Sequence, residues 1–178
     1  MNGYLLDTNI PSEFSRDRPE PRVVQWLKTQ PVTTLFLSAV TIGEIRKGLV
    51  VLPQGRRRTE LETWFHTDLL SWFRNRILPV THSVADRWGV LDGQCQLKGT
   101  PLNTADGMIA ATALEHDLTV VTRNVKDFAG LGVTLLSPRG RFMNSQTTAL
   151  APATPSAELR IPVRIAGAGI ARKCVCPL

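Results

Sequence analysis

The chain has 178 residues, 43% of them hydrophobic, with 21 Lys and Arg against 15 Asp and Glu. That length and apolar content suit one domain with a full core, and no apolar run reaches the ~18–20 residues that a membrane span requires. The opening MNGYLLDTN lacks the basic and long apolar regions of a secretory signal, and three cysteines without a framework exclude a disulfide-built domain and fit a reducing cytoplasm.

The net charge of +6 suggests a nucleic-acid binder until it is located. Residues 1–138 hold 15 basic against 14 acidic side chains, whereas residues 139–178 hold 6 against 1. The body is close to neutral, so whole-chain charge is a weak argument that the body binds nucleic acid.

In chain order, Tyr4-Leu5-Leu6-Asp7 reads as a first strand that stops on a charge. The polar turn Asp7-Thr8-Asn9 leads into a short helical segment at Ile10 and Pro11. Asp7 alone has two readings, helix N-cap or site carboxylate. Asn9 and Ser12 read as local hydrogen-bonding residues that could orient it. Glu20–Thr29 predicts a helix with Val23, Val24, Trp26 and Leu27 on its apolar face. Leu35–Ala39 reads as strand two. Thr41 then opens a helix whose Ile42, Ile45, Leu49 and Leu52 face the core.

Glu44 lies off that apolar stripe, near the helix start, where an acid commonly meets only the helix dipole and solvent. Arg46, Lys47 and Arg56 could flank an anionic substrate, although the run Arg56–Arg58 reads first as a solvated helix start. Gly55–Arg76 contains a long amphipathic helix. Ile77–Val80 is strand three, placed near an edge by Pro79. His82–Lys98 is a helix with Val84, Trp88, Leu91 and Cys95 on its buried side.

The stretch Leu102–Phe128 is the most informative. Thr104 is a candidate N-cap, Asp106 opens a helix of small and apolar residues, Thr119–Thr122 is strand four, and Arg123–Asp127 is a polar turn in which Arg123 reads first as a surface charge and second as a phosphate contact. Val133–Leu136 is strand five. This alternation predicts an α/β domain over residues 1–138, with a five-stranded parallel sheet covered on both faces. In such a sheet the strand ends and helix starts share one rim. Asp7, Asp106 and an acid after strand four can therefore meet there, and carboxylates so gathered call for a divalent cation. Residues 139–178, rich in Pro, Ala and Arg, show no lasting period. They predict a basic, flexible or disordered tail whose arginines would suit weak attachment to RNA or acidic partners.

Four motifs are brought together by these elements: Asp7-Thr8-Asn9, LSAVTIGEIRKG around Glu44, TADGMIAATA around Asp106, and TRNVKDF from Thr122. In this order and spacing, over about Tyr4–Ser137, they resemble the PIN-domain nucleases, and among them the VapC and FitB-like toxins of type II toxin–antitoxin pairs. The resemblance implies a three-layer α/β/α fold with a central five-stranded parallel sheet. It implies an endoribonuclease dependent on Mg²⁺ or Mn²⁺ that cleaves single-stranded regions of tRNA, rRNA or mRNA with a metal-activated water. A cognate antitoxin and a homodimer are implied as well. The acids carry over as Asp7, Glu44 and Asp106; the position that some relatives use for the fourth is Asn124 here, so the fourth charge comes from Asp127, where other relatives have it, or is missing. Asp7 and Asp106 are expected to ligate directly and Glu44 and Asp127 through water, with Thr8, Asn9, Thr122 and Asn124 in support.

Two other readings compete. An aspartyl phosphatase would need a second Asp where Asn9 stands. A catalytically weakened PIN-fold module that binds RNA or protein would keep the fold without complete metal ligation.

Overall fold

The computed structural model describes residues 3–138, and the predicted tail 139–178 lies outside them. Five strands form one wholly parallel sheet: β1 Tyr4–Leu6, β2 Leu35–Ser38, β3 Ile77–Leu78, β4 Thr119–Val121 and β5 Leu135–Leu136, in the order β3-β2-β1-β4-β5. β1 is central, with Leu5 opposite Phe36 on one side and Val120 on the other.

Alternation along these strands builds the layers, because successive side chains leave a strand on opposite faces. Leu6 and Val121 enter one core with Val23, Leu27, Ile45, Leu49, Leu61 and Phe73. Leu5 and Val120 enter a second with Ile109, Ala110, Ala113 and Phe128. The first core lies under α1 (Pro21–Thr29), α2 (Ala39–Val50) and α3 (Arg56–Thr63); the second lies under α6 (Thr104–Glu115). α3 continues through a π-helical segment, Trp64–Leu69, into α4 (Leu70–Trp72), and α5 (His82–Leu97) packs on α6. The result is the three-layer α/β/α arrangement with its five-stranded parallel sheet.

Element boundaries moved where side chains, not periodicity, set the helix starts. α6 is capped by Asn103, not Thr104: Asn103 Oδ1 accepts from the amides of Ala105 at 2.9 Å and Asp106 at 3.4 Å. α2 begins at Ala39, two residues before Thr41, because Ser38 Oγ accepts from the Val40 amide at 3.2 Å. Glu44 therefore sits in the second turn, beyond the reach of the first-turn dipole effect. β3 and β5 are shorter than expected, and β3 is an edge strand, as Pro79 implied.

Trp26 packs edge-on against Tyr4, ring centroids 5.1 Å apart, as a core residue should. Gly107 follows Asp106 at the α5–α6 contact. A Cβ there would stand 2.7 Å from Leu102 Cδ2 and 2.9 Å from Trp88 Cδ1, so the approach requires the absent side chain. No helix among the described residues is long and apolar enough to cross a membrane.

Replacing Asn103 by Ala removes the acceptor for two otherwise unpaired helix amides and should cost about 1 kcal/mol. Thermal unfolding should show a loss of roughly 2–4 °C, recovered by Asn103→Ser; an unchanged transition would mean that the cap contributes nothing.

A candidate active site at the carboxyl rim of the sheet

The β1–β4–β5 ladder runs past the ends of the strands. The Asp7 amide donates to Val121 O at 3.0 Å and the Thr122 amide to Leu136 O at 3.0 Å. This sets Asp7 and Thr122 side by side at the carboxyl rim. Thr122 Oγ1 donates to Asp7 Oδ2 at 2.6 Å and accepts from Asn9 Nδ2 at 3.1 Å and from the Asn124 amide at 2.9 Å. Asn9 Nδ2 also reaches Asp7 Oδ2, and Asn9 Oδ1 accepts from the Arg123 amide at 3.1 Å. Of the two readings of Asp7, the helix cap is excluded: the 3-10 turn Pro11–Ser15 begins after Ile10 without a side-chain cap. Asp7 is instead a carboxylate 4% exposed, held by Thr122 and Asn9.

The other acids arrive from separate elements. Glu44 comes from α2, where its Oε2 accepts from Thr8 Oγ1 at 2.5 Å, tying it to the loop that carries Asp7. Asp106 stands in the first turn of α6. Asp127 stands in the 3-10 turn Val125–Phe128, where Asn124 Nδ2 donates to its Oδ2. The amide at position 124 thus orients the neighbouring acid, and Asp127 brings the fourth charge.

The electrostatics show that these four share one field. Asp106 is pushed up from 3.8 to about 6, by burial first and then by the charges of Asp7, Asp127 and Glu44. Asp7 is raised too, by burial above all, with Glu44 and Asp127 adding to it; the bonds from Thr122 and the Thr8 backbone oppose the shift because they favour the charged form. Among the described residues, however, no group of three or more His, Cys, Asp or Glu is gathered closely enough to hold a metal ion ready-made. The acids couple but are not drawn into a cage. All are hard oxygen donors, which fit Mg²⁺ or Mn²⁺ and do not fit a nitrogen- and sulfur-ligated zinc site. Mg²⁺ in particular is commonly held by one or two carboxylates and keeps several of its waters.

Two sequence expectations change here. Arg123 is not a surface charge: its side chain is 17% exposed and forms an ion pair with Glu13, which is fully buried. Glu13 carried no signal in the sequence, since a five-residue 3-10 turn is too short to show a period. Nor do Arg46 and Arg56 stand free beside the site. Arg46 pairs with Glu62 at 3.3 Å and Arg56 with Glu60 at 2.8 Å, while Arg57 and Arg58 pair with Asp17 at 2.9 Å and Glu62 at 3.2 Å. The Arg56–Arg58 run is a helix start, with Arg56 and Arg57 exposed as expected, and all three of its charges are paired.

Comparison with known proteins agrees with this arrangement. The sequence profile described as the PIN domain matches residues 4–132. A VapC ribonuclease of Sinorhizobium fredii is 35% identical over 134 residues, which span 75% of this chain and 96% of that protein. The crystal structure of FitAcB from Neisseria gonorrhoeae superposes with a TM-score of 0.72 at 37% identity, covering 76% of this chain and 98% of that one. A toxin–antitoxin complex from Klebsiella pneumoniae superposes with a TM-score of 0.58 at 28% identity, over 76% of this chain and 98% of that chain.

Because the folded state holds the Asp106 proton more tightly than the unfolded chain does, folding takes up a proton between 3.8 and about 6. The contribution of this group to stability is therefore greatest below that window and falls as pH rises through it. In buffer with EDTA, Asp106→Asn should melt close to the wild type at pH 4 and clearly above it at pH 7. A difference that stays constant between the two pH values would show that Asp106 is not under this repulsion.

Proposed function

This chain belongs to the PIN-domain family, and from that premise we propose that it is a divalent-metal-dependent endoribonuclease, the toxin of a toxin–antitoxin pair acting in the cytoplasm. The observation that carries the reading is the meeting of Asp7, Glu44, Asp106 and Asp127, from four separate elements, in one negative field. Such a field repels an RNA phosphate unless a cation stands between them. A divalent ion held by these acids would supply the charge that neutralises a phosphate and the acidity that makes a water nucleophilic near neutral pH.

The residues divide the work. Asp7, fixed by Thr122 and Asn9, and Asp106, at the start of α6, would hold the ion directly. Glu44, tethered by Thr8, orients the attacking water and takes its proton. Asp127, oriented by Asn124, contributes through an intervening water. Attack on phosphorus in line breaks the bond to the 3′-oxygen of single-stranded tRNA, rRNA or mRNA. The near balance of charge over residues 1–138 and the internal pairing of Arg46, Arg56, Arg57 and Arg58 leave the ion as the main attraction for phosphate at the rim. A cognate antitoxin that covers the acidic rim, and a homodimer of the toxin, complete the proposal. It draws on the family and on the kind of complex that the Klebsiella pneumoniae neighbour forms.

A pool of tRNA and rRNA fragments incubated with Mg²⁺ or Mn²⁺ should be cut by the full chain. EDTA should abolish cutting, and Asp7→Asn or Asp106→Asn should lower the rate by at least about 100-fold. RNA binding without cleavage in Mg²⁺ or Mn²⁺, and unaffected by EDTA, would transfer the chain to the binding-module reading.

A further inference from the structure

Past Asp7 and Thr122 the β1–β4–β5 ladder gives way to two loops. One loop carries Asp7, Thr8 and Asn9; the other carries Thr122, Asn124 and Asp127. The rim hydrogen bonds described above join the loops at their base. Farther out, the guanidinium of Arg123 reaches across to Glu13, whose carboxylate is fully buried. Glu13 is itself anchored on two further sides: its Oε2 accepts from the Glu20 amide at 2.8 Å, and its Oε1 stands 3.5 Å from Arg16 Nε. One buried acid thus connects the loop after β1, the start of α1 and the loop after β4.

A buried ion pair of this kind is a poor source of net stability, because desolvating both charges offsets most of their attraction. Its value lies in geometry. The pair is also neutral as a unit. The charges that raise Asp106 are those of Asp7, Asp127 and Glu44. An unclaimed arginine one residue from Thr122 could swing onto the carboxylates and compete with a divalent ion for them. Engaged by Glu13, it joins the loops and leaves the negative field intact.

We infer that Glu13 and Arg123 are a positioning pair for the acidic site: they fix the separation of the Asp7 loop and the Asp127 loop, touching neither substrate nor ion. The inference rests on the metal-dependent reading above for its consequence, but not for its geometry. Two variants of the full chain test it. Arg123→Met breaks the pair, and Arg123→Lys keeps the charge while losing the planar fork.

Amide hydrogen exchange without metal reads the loops directly. In Arg123→Met the amides of Asn124 and Asp127 should exchange at least tenfold faster, while those of Leu5 and Val120 in the sheet keep their wild-type rates. Mn²⁺ affinity, read by calorimetry without RNA, should weaken about tenfold in Arg123→Met and about threefold or less in Arg123→Lys. Should Arg123→Met fold but prove too unstable for site-resolved exchange, the same amides in Arg123→Lys should show a smaller acceleration with the same pattern. Exchange that rises equally through the sheet, or not at all, overturns the inference, as does wild-type Mn²⁺ affinity in Arg123→Met. If the wild type takes up no Mn²⁺, the metal reading fails and the exchange data alone decide the role of the pair.

Discussion

The parallel pairing of β1 with β4 is the constraint from which the rest follows. It places the last residue of one strand opposite the last residue of the other, so the next residues, Asp7 and Thr122, are neighbours although 115 positions apart in sequence. A slip of one residue would send Leu5 and Leu6 into the wrong cores and turn Asp7 away from Thr122. The two hydrophobic cores that lock the register are therefore also what fix the site. Packing energy, which has no chemical specificity of its own, ends up specifying the position of a carboxylate.

The acids at the rim run against the usual rules of stability. Burial and like charges both disfavour ionised Asp7 and Asp106, and hydrogen bonds from Thr122 and the Thr8 backbone favour ionised Asp7. Proteins tolerate such local conflict mainly where function requires it. Here the conflict is distributed among four elements, so each holds only one charge: β1 through its loop, α2, α6 and the turn after β4. Three of the four acids also have their own means of orientation, Thr122 and Asn9 for Asp7, Thr8 for Glu44 and Asn124 for Asp127. The hydroxyls and amides of the first and last motifs are thus part of the same device as the carboxylates.

Much of this was legible in the sequence, and the reasons are specific. Short β-branched and apolar runs between helical periods disclosed the parallel sheet. Parallel topology then disclosed the shared rim, and the four motifs disclosed the family. Helix starts were less legible, because Ser38 and Asn103 win the caps by reaching particular amides, and Thr41 and Thr104 are equally capable residue types. The pairing of Arg123 with Glu13 was not legible at all. A contact between two loops leaves no period behind, and a buried glutamate on a short turn looks in sequence like any solvated acid. Nor could spacing distinguish free arginines from paired ones, and Arg46, Arg56 and Arg57 proved to be paired.

Gly107 places a hydrogen atom where any other residue would place carbon, next in sequence to Asp106 and against the indole of Trp88. A Cβ at that position would force Trp88 or Leu102 aside, so the seam between α5 and α6 admits no larger residue there unless one of them yields. The helix that carries Asp106 is thus bedded on one that carries none of the four acids.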